Sequence, residues 1–339
     1  MKIAVDAMGG DRAPADIVEG VVSAALERRS EIVLVGDEAA VRAELERSVN
    51  GHRLDNLSIR HASQIIGMGE SPATAYKTKK DSSMVVAARM VKEGEAAAFL
   101  SVGNTGATMT SALMEMGRLE GVMRPAIAIP IPRVHGVTIV IDAGANVDCR
   151  PEHLAQFGVM GEIYAQQIHG VANPRVGLLN VGEEEGKGNE LTQEAFGLLK
   201  ASKLNFVGNI EGRDIPNGSV DVVVCDGFVG NVVLKFAEGV ALAILQIIRE
   251  EYRKGGPVAL LGAWLSRRVF RSVKHSMDPA TFGGAPLLGV NGTCIVGHGT
   301  SSPRAIRNAV LVAEKMVALN VDGRIMDRLR ECNLARTRQ

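Results

Sequence analysis

An α/β fold, with a mostly parallel sheet between layers of helices, is predicted by three features of these 339 residues. Short β-branched runs alternate with helical patterns from end to end. Several runs, such as Val137-Thr138-Ile139-Val140-Ile141 and Val222-Val223-Val224, are almost continuously apolar, which suits strands covered on both faces. The turns between elements are rich in glycine: 38 glycines stand where about 24 are expected at a usual ~7%.

In chain order, strands are predicted over 2–7, 31–36, 57–62, 96–102, 126–131, 137–142, 175–181, 205–210, 221–226 and 293–297. The first run, Lys2-Ile3-Ala4-Val5-Asp6, opens without the apolar core of a signal peptide. Ser71-Pro72 and Ser302-Pro303 mark helix starts, since each pairs a good N-cap with proline at the first helical position. Leu191, Ala195, Leu198 and Leu199 share one face of a helix beginning near Asn189. Residues 240–277 read as two helices broken at Gly255-Gly256-Pro257, a hairpin long enough to project. In its second helix Val258, Leu261, Leu265, Val269 and Val273 follow four-residue spacing, with Trp264 and Phe270 beside them. Arg267, Arg268, Arg271 and Lys274 flank that stripe. A basic amphipathic helix with tryptophan suits a lipid headgroup interface. A dimer contact or a carrier-docking face fits the same stripe. No linker, repeat or low-complexity tract divides the chain, so one domain is expected over 1–335, with the hairpin inside it.

Composition narrows the function. Lys+Arg and Asp+Glu both number 38, and this neutral balance disfavours a dedicated nucleic-acid binder. Aromatic residues are only 4%, too few for stacking platforms. Cys149, Cys225, Cys294 and Cys332 are far apart and form no CxxC, which suits a reducing cytoplasm rather than a disulfide framework or zinc site. The most apolar stretches, 239–248 and 255–266, fall short of the ~18 residues of a membrane span. His52, His61, His135, His153, His169 and His275 show no metal-ligand spacing, so no metal is expected.

The candidate chemistry lies in five polar turns after predicted strands: 6–11, 101–106, 142–146, 226–231 and 298–302. Placed at equivalent strand ends, such turns let backbone N–H groups and helix starts approach an anion. Familiar nucleophile and nucleotide motifs are absent. Gly182-Glu183-Glu184-Glu185-Gly186-Lys187-Gly188 is one residue short of a P-loop, lacks the following Ser/Thr, and carries three glutamates that would repel a triphosphate. There is no GxSxG, HExxH or GxGxxG opening a helix. Lys187, between two glycines, can bring an ammonium onto a phosphate or an oxyanion; it can equally be a solvated lysine paired with Glu183 to Glu185. His298 is a general base, an oxyanion donor or a structural hydrogen-bonder. Cys225 reads as a buried core thiol.

Taken together, Asp-Ala-Met-Gly-Gly-Asp at 6–11, Ser-Val-Gly-Asn-Thr-Gly-Ala at 101–107 and Val-Gly-Asn-Ile-Glu-Gly-Arg-Asp at 207–214 resemble the phosphate acyltransferase (PlsX) family. So do Asp-Gly-Phe-Val-Gly-Asn-Val-Val-Leu-Lys at 226–235 and Leu-Leu-Gly-Val-Asn-Gly at 287–292 with His298-Gly299. The motifs run in the family's order from residue 1 to about 325.

The resemblance implies a three-layer fold similar to phosphotransacetylases and isocitrate dehydrogenases, working as a homodimer. The implied reaction is reversible transfer of a long-chain acyl group from an acyl carrier protein thioester to inorganic phosphate. Its acyl phosphate would serve bacterial phospholipid synthesis through a membrane-bound glycerol-3-phosphate acyltransferase. No cofactor is implied. Lys187 and Asn231 are carried over as catalytic, with His298 beside them. Asp6, Gly9, Gly10, Asn104, Thr105, Gly106, Asp226 and Gly230 would bind phosphate or substrate. Leu261, Trp264, Leu265, Arg267, Arg268 and Arg271 would touch membrane or carrier, and Lys77, Lys79 and Lys80 form a second basic patch for an acidic carrier. The implied setting is cytoplasmic, with peripheral contact at the inner membrane face. The other readings are a phosphotransacylase or dehydrogenase of the same fold, acting on a small acid or acyl-CoA, and a non-enzymatic membrane-surface scaffold recruiting carrier protein.

Overall fold

A computed structural model describes residues 1–28, 30–49, 51–52, 54–276 and 278–335. Its strands are β1 (Lys2–Asp6), β2 (Glu31–Gly36), β3 (Leu57–His61), β4 (Ala98–Ser101), β5 (Ala126–Pro132), β6 (Val137–Ile141), β7 (Val176–Leu179), β8 (Phe206–Ile210), β9 (Val222–Val224), β10 (Ala285–Leu288) and β11 (Thr293–Val296). The helices are α1 (Ala15–Glu27), α2 (Glu38–Ser48), α3 (Pro72–Thr78), α4 (Ser83–Lys92), α5 (Thr105–Ser111), α6 (Pro151–His169), α7 (Glu190–Ala201), α8 (Asp214–Asn217), α9 (Gly227–Lys254), α10 (Gly256–Leu265), α11 (Arg267–Ser276), α12 (Pro303–Ala318) and α13 (Val321–Glu331). Each predicted strand has its counterpart. The exception runs the other way: β10 was not expected, because Pro286 lacks an N–H donor and Gly283-Gly284 before it reads as loop.

All the strands form one sheet in the order β3-β2-β1-β4-β11-β10-β5-β6-β9-β7-β8. From β3 to β11 every pairing is parallel, and so is every pairing from β6 to β8. Between them β10 runs antiparallel to both β11 and β5, and β5 antiparallel to β6. Three reversals leave the two parallel halves pointing in opposite directions. The five polar turns are therefore not at equivalent strand ends, as the sequence suggested; they divide between two opposed sets.

Alternation along the strands sorts the core into layers. Ile3, Val5, Ile32 and Leu34 face one side, under α1, α2, α6, α7, α12 and α13. Ala4, Val33, Val35 and Phe99 face the other, under α3, α4 and α5. In the second half Val140 and Val223 pack with Ile215 of α8 and Val229 of α9. Each fully buried Ile, Val or Leu of this kind contributes about 1.5–3 kcal/mol.

The two proline-marked helix starts fall where expected. Ser302 Oγ accepts the Ala305 N–H at 3.4 Å, whereas Ser71 caps α3 by backbone geometry without a side-chain bond.

The protruding hairpin differs in its parts. Its first helix is α9, continuous over 28 residues from Gly227 rather than beginning at 240. Its second breaks at Ser266 into α10 and α11, which splits the Val258-to-Val273 stripe between two helices. The Tyr252 and Phe270 rings meet edge-on at 5.5 Å, tying α11 to α9. By length and composition alone α9 is long and apolar enough to cross a membrane, which the shorter windows read from sequence did not register. Its first turn, however, is built into the sheet edge, with Gly227 and Gly230 buried there. The side chain of Lys274 lies outside the described residues.

Candidate active site

On the first parallel half, Asp6 ends β1 fully buried. Its Oδ2 accepts the Ser101 hydroxyl at 2.7 Å and its Oδ1 the Met8 N–H at 3.1 Å. Burial pushes its pKa above the usual carboxylate range, against the pull of its hydrogen bonds. Gly9 and Gly10 follow in the turn, and the Asp11 N–H donates to the Gly299 carbonyl at 2.9 Å, joining this turn to the His298 loop. Asn104 caps α5, accepting the Ala107 N–H at 3.0 Å, while its Nδ2 donates to the Met68 and Glu70 carbonyls. The Asn104 side chain is thus committed to the fold. Thr105 and Gly106 stand at the first two positions of α5, whose N–H groups have no partner within the helix. His298 Nδ1 accepts the Thr300 N–H at 3.3 Å, which places the neutral ring's proton on Nε2.

The second half centres on Asp142, which the candidate residues from sequence did not include. It is completely buried, and its two oxygens accept the N–H groups of Ile127, Gly144, Ala145 and Asn146 and the Asn146 carboxamide, at 2.7–3.2 Å. A short Asp followed by Gly and Asn, after an apolar strand, was the available signal. The start of α9 is seated on this turn. Asp226 caps it by accepting the Val229 N–H at 2.9 Å, and the Gly227 N–H donates to the Asn146 carbonyl at 2.8 Å. Gly230 presses directly on the Asp142 carbonyl, where a Cβ would overlap the oxygen. Asn231 therefore lies on a helix rather than in a loop, exposed, opposite Gly144, with no side-chain hydrogen bond among the described residues.

Beside it, β7 neighbours β9 in the sheet, so the loop from Asn180 to Asn189 leaves the same edge. Lys187 is exposed there. Glu183 pairs with Arg213 at 3.4 Å and Glu185 with Lys200 at 2.9 Å, and Lys187 has no ion-pair partner among the described residues. Lys187 is thus solvated, as one reading of the sequence had it, with Glu183 and Glu185 paired to Arg213 and Lys200 instead. Asn189 caps α7, accepting the Thr192 N–H at 3.0 Å.

No hydrogen bond among the described residues joins the two halves' turns. They border one apolar cluster, which holds both Ala107 of α5 and Ala143 of the Asp142 turn. A cleft of about 500 Å³ lies elsewhere, between α6 and α12, lined by Tyr164, His169, Phe282, Leu311 and Lys315, and contains none of the candidate residues. Among the described residues no three His, Cys, Asp or Glu side chains are grouped as a metal ion would need.

The thiols are unsuited to attack. Burial raises Cys149 to about 12 and takes Cys225 and Cys294 well above the ordinary thiol range. Cys225 is the core thiol expected. Of the basic patches, Lys79 is bound to Glu70 at 2.6 Å and Lys80 sits over the Tyr76 ring at 3.4 Å. On the hairpin, Leu261, Trp264 and Leu265 are exposed, Arg267 stacks on Trp264 at 4.5 Å, and Arg268 and Arg271 are exposed.

A family model described as fatty acid synthesis protein matches residues 1–324. A phosphate acyltransferase from Pelotomaculum thermopropionicum is 52% identical over 330 residues, covering 97% of this chain and 94% of its own. One from Elusimicrobium minutum is 51% identical over 317 residues, covering 94% and 92%. Among solved structures, the EutD phosphotransacetylase from Staphylococcus aureus aligns over 94% of each chain with a TM-score of 0.59 at 15% identity, a likeness of fold alone.

Proposed function

Since the chain belongs to the phosphate acyltransferase family, we propose that it transfers a long-chain acyl group, reversibly, from an acyl carrier protein thioester to inorganic phosphate. The observation that carries this reading is the pair of unengaged groups on neighbouring strand ends: the Lys187 ammonium and the Asn231 carboxamide. A polar group left unpaired in an otherwise well-bonded edge is available for a ligand.

Phosphate is itself the nucleophile. One of its oxygens forms a bond to the thioester carbonyl carbon, and the carbonyl electrons move onto oxygen. The tetrahedral intermediate collapses by breaking the carbon–sulfur bond, giving acyl phosphate and a thiolate that takes up a proton from water. The inert thiols fit a reaction that needs no covalent enzyme intermediate. Lys187 neutralises the phosphate or the departing thiolate, and Asn231 orients phosphate or donates to the carbonyl oxygen. Asp226 and Gly230 hold Asn231 in place from the start of α9. On the other half, we assign the N–H groups of Thr105 and Gly106 and the exposed His298 to substrate.

The exposed hairpin supports two further contacts in the same reading, a second copy of the chain and the membrane surface. Acyl phosphate is amphipathic, so release at the membrane would deliver it to a membrane-bound glycerol-3-phosphate acyltransferase. Replacing Lys187 or Asn231 by Ala tests the reading. Turnover should fall by ~10²–10³, the scale of losing one preorganised anion contact, with thermal stability nearly unchanged. Normal acyl phosphate formation by both variants would overturn it.

A further inference from the structure

We propose that Asn180 and Asn209 are positioning residues that fix the Lys187 backbone from both sides, so that the ammonium is presented to the anion; this rests on the assignment of Lys187 above. The two asparagines close the neighbouring parallel strands β7 and β8. Asn209 is only 6% exposed, and its Nδ2 donates to the Glu184 carbonyl at 2.9 Å. That same carbonyl accepts the Lys187 N–H at 3.1 Å. Because a carbonyl only accepts, the Asn209 amide orientation is set, and Oδ1 is left buried with no donor among the described residues. Asn180 completes the hold: its Nδ2 donates to the Lys187 carbonyl at 3.0 Å, and its own N–H donates to the Ile210 carbonyl at 2.8 Å. Both polar groups of the Lys187 backbone are therefore tied to the sheet.

Gly188 permits this closure. Its φ is +95°, and a Cβ there would fall 2.5 Å from Asn180 Oδ1. The two ion pairs that occupy Glu183 and Glu185 are solvent-exposed, and such pairs hold a loop weakly. The buried amide is the stronger anchor. This also gives the 207–214 motif a purpose that packing alone does not: its asparagine reaches across to the lysine loop rather than serving its own strand.

The test is steady-state kinetics of Asn209→Ala and Asn180→Ala, each also combined with Lys187→Ala. The single variants should lower kcat/KM for phosphate about tenfold and leave the acyl-donor KM unchanged. In the Lys187→Ala background the same changes should have less than a twofold effect, because the group they position is gone. Equal effects with and without Lys187, or an unchanged kcat/KM for phosphate, would overturn the proposal while leaving the Lys187 reading intact. Unaltered kinetics of Lys187→Ala alone would remove both. Should Asn209→Ala fail to fold, the half-buried Asn180 carries the same test from the other end of the loop.

Discussion

Gly230→Ala should destabilise the protein although it sits in a helix, where alanine is ordinarily better than glycine by about 1 kcal/mol. The added Cβ would overlap the Asp142 carbonyl oxygen and lie 2.9 Å from its carbon and 3.0 Å from Cys225 Sγ. The Asp142 atoms are backbone, in a turn held by the bonds around the Asp142 carboxyl, so the turn cannot yield and α9 must lift instead. Overpacking against fixed atoms costs up to about 3 kcal/mol, and subtracting the propensity gain leaves a net loss of roughly 2 kcal/mol. Gly239 on the same helix provides the control, with nothing within 4 Å of an added Cβ. Gly239→Ala should therefore gain up to ~1 kcal/mol. Urea unfolding of both variants reads the difference as opposite shifts of midpoint at unchanged slope. Turnover should follow, because lifting α9 displaces Asn231, and a misplacement of ~1 Å at a reacting group can cost about 10²-fold. A Gly230→Ala protein as stable and active as Gly239→Ala would refute the seating of α9 on the Asp142 turn.

Two further outcomes follow from the hairpin and from a buried acid. Changing Leu261 and Leu265 together to Glu should release the protein from anionic liposomes while preserving activity in solution; loss of a dimer with liposome binding retained would assign that face to a second copy. Asp322 is half-buried, but its carboxyl bonds buried Thr293, and burial raises its pKa to about 7. The folded state then holds a proton that the unfolded chain releases near 4, so this group's contribution to stability falls as pH rises from about 4 to 7. Asp322→Asn should stabilise at pH 8 by roughly 2 kcal/mol, discounted for partial solvent access, and by nothing at pH 4; identical denaturation curves at pH 8 would count against it.

Much of the fold was readable from local pattern, because a strand covered on both faces needs a continuous apolar run and few other segments supply one. β10 escaped, since Pro286 and the flanking glycines mimic a loop; its two reversals cancel, and the antiparallel β5–β6 pair is what separates the polar turns into two opposed sets. The direction of that pair was legible, because the residues between Pro132 and Val137 are too few for a parallel crossover, but its consequence for the turns was not drawn. The hairpin's break at Ser266 was silent, as the residues either side share one amphipathic spacing. At the site, Lys187 and Asn231 were legible as residue types in glycine-rich motifs. What frees Lys187 was not: Glu183 and Glu185 lie beside it in sequence, and only the approach of Arg213 and Lys200 shows them engaged elsewhere. The 142–146 turn was singled out, but the role of Asp142 within it was not legible, because its carboxyl works inward, on the backbone of its own turn and the start of β5.

The central claim is tested most directly by incubating the purified protein with palmitoyl-acyl carrier protein and inorganic phosphate, with palmitoyl-CoA and NAD(P) offered in parallel. Acyl phosphate should accumulate from the carrier thioester, in proportion to phosphate and with release of the carrier thiol. Absence of acyl phosphate from the carrier thioester, or reduction of NAD(P) in its place, would contradict the account.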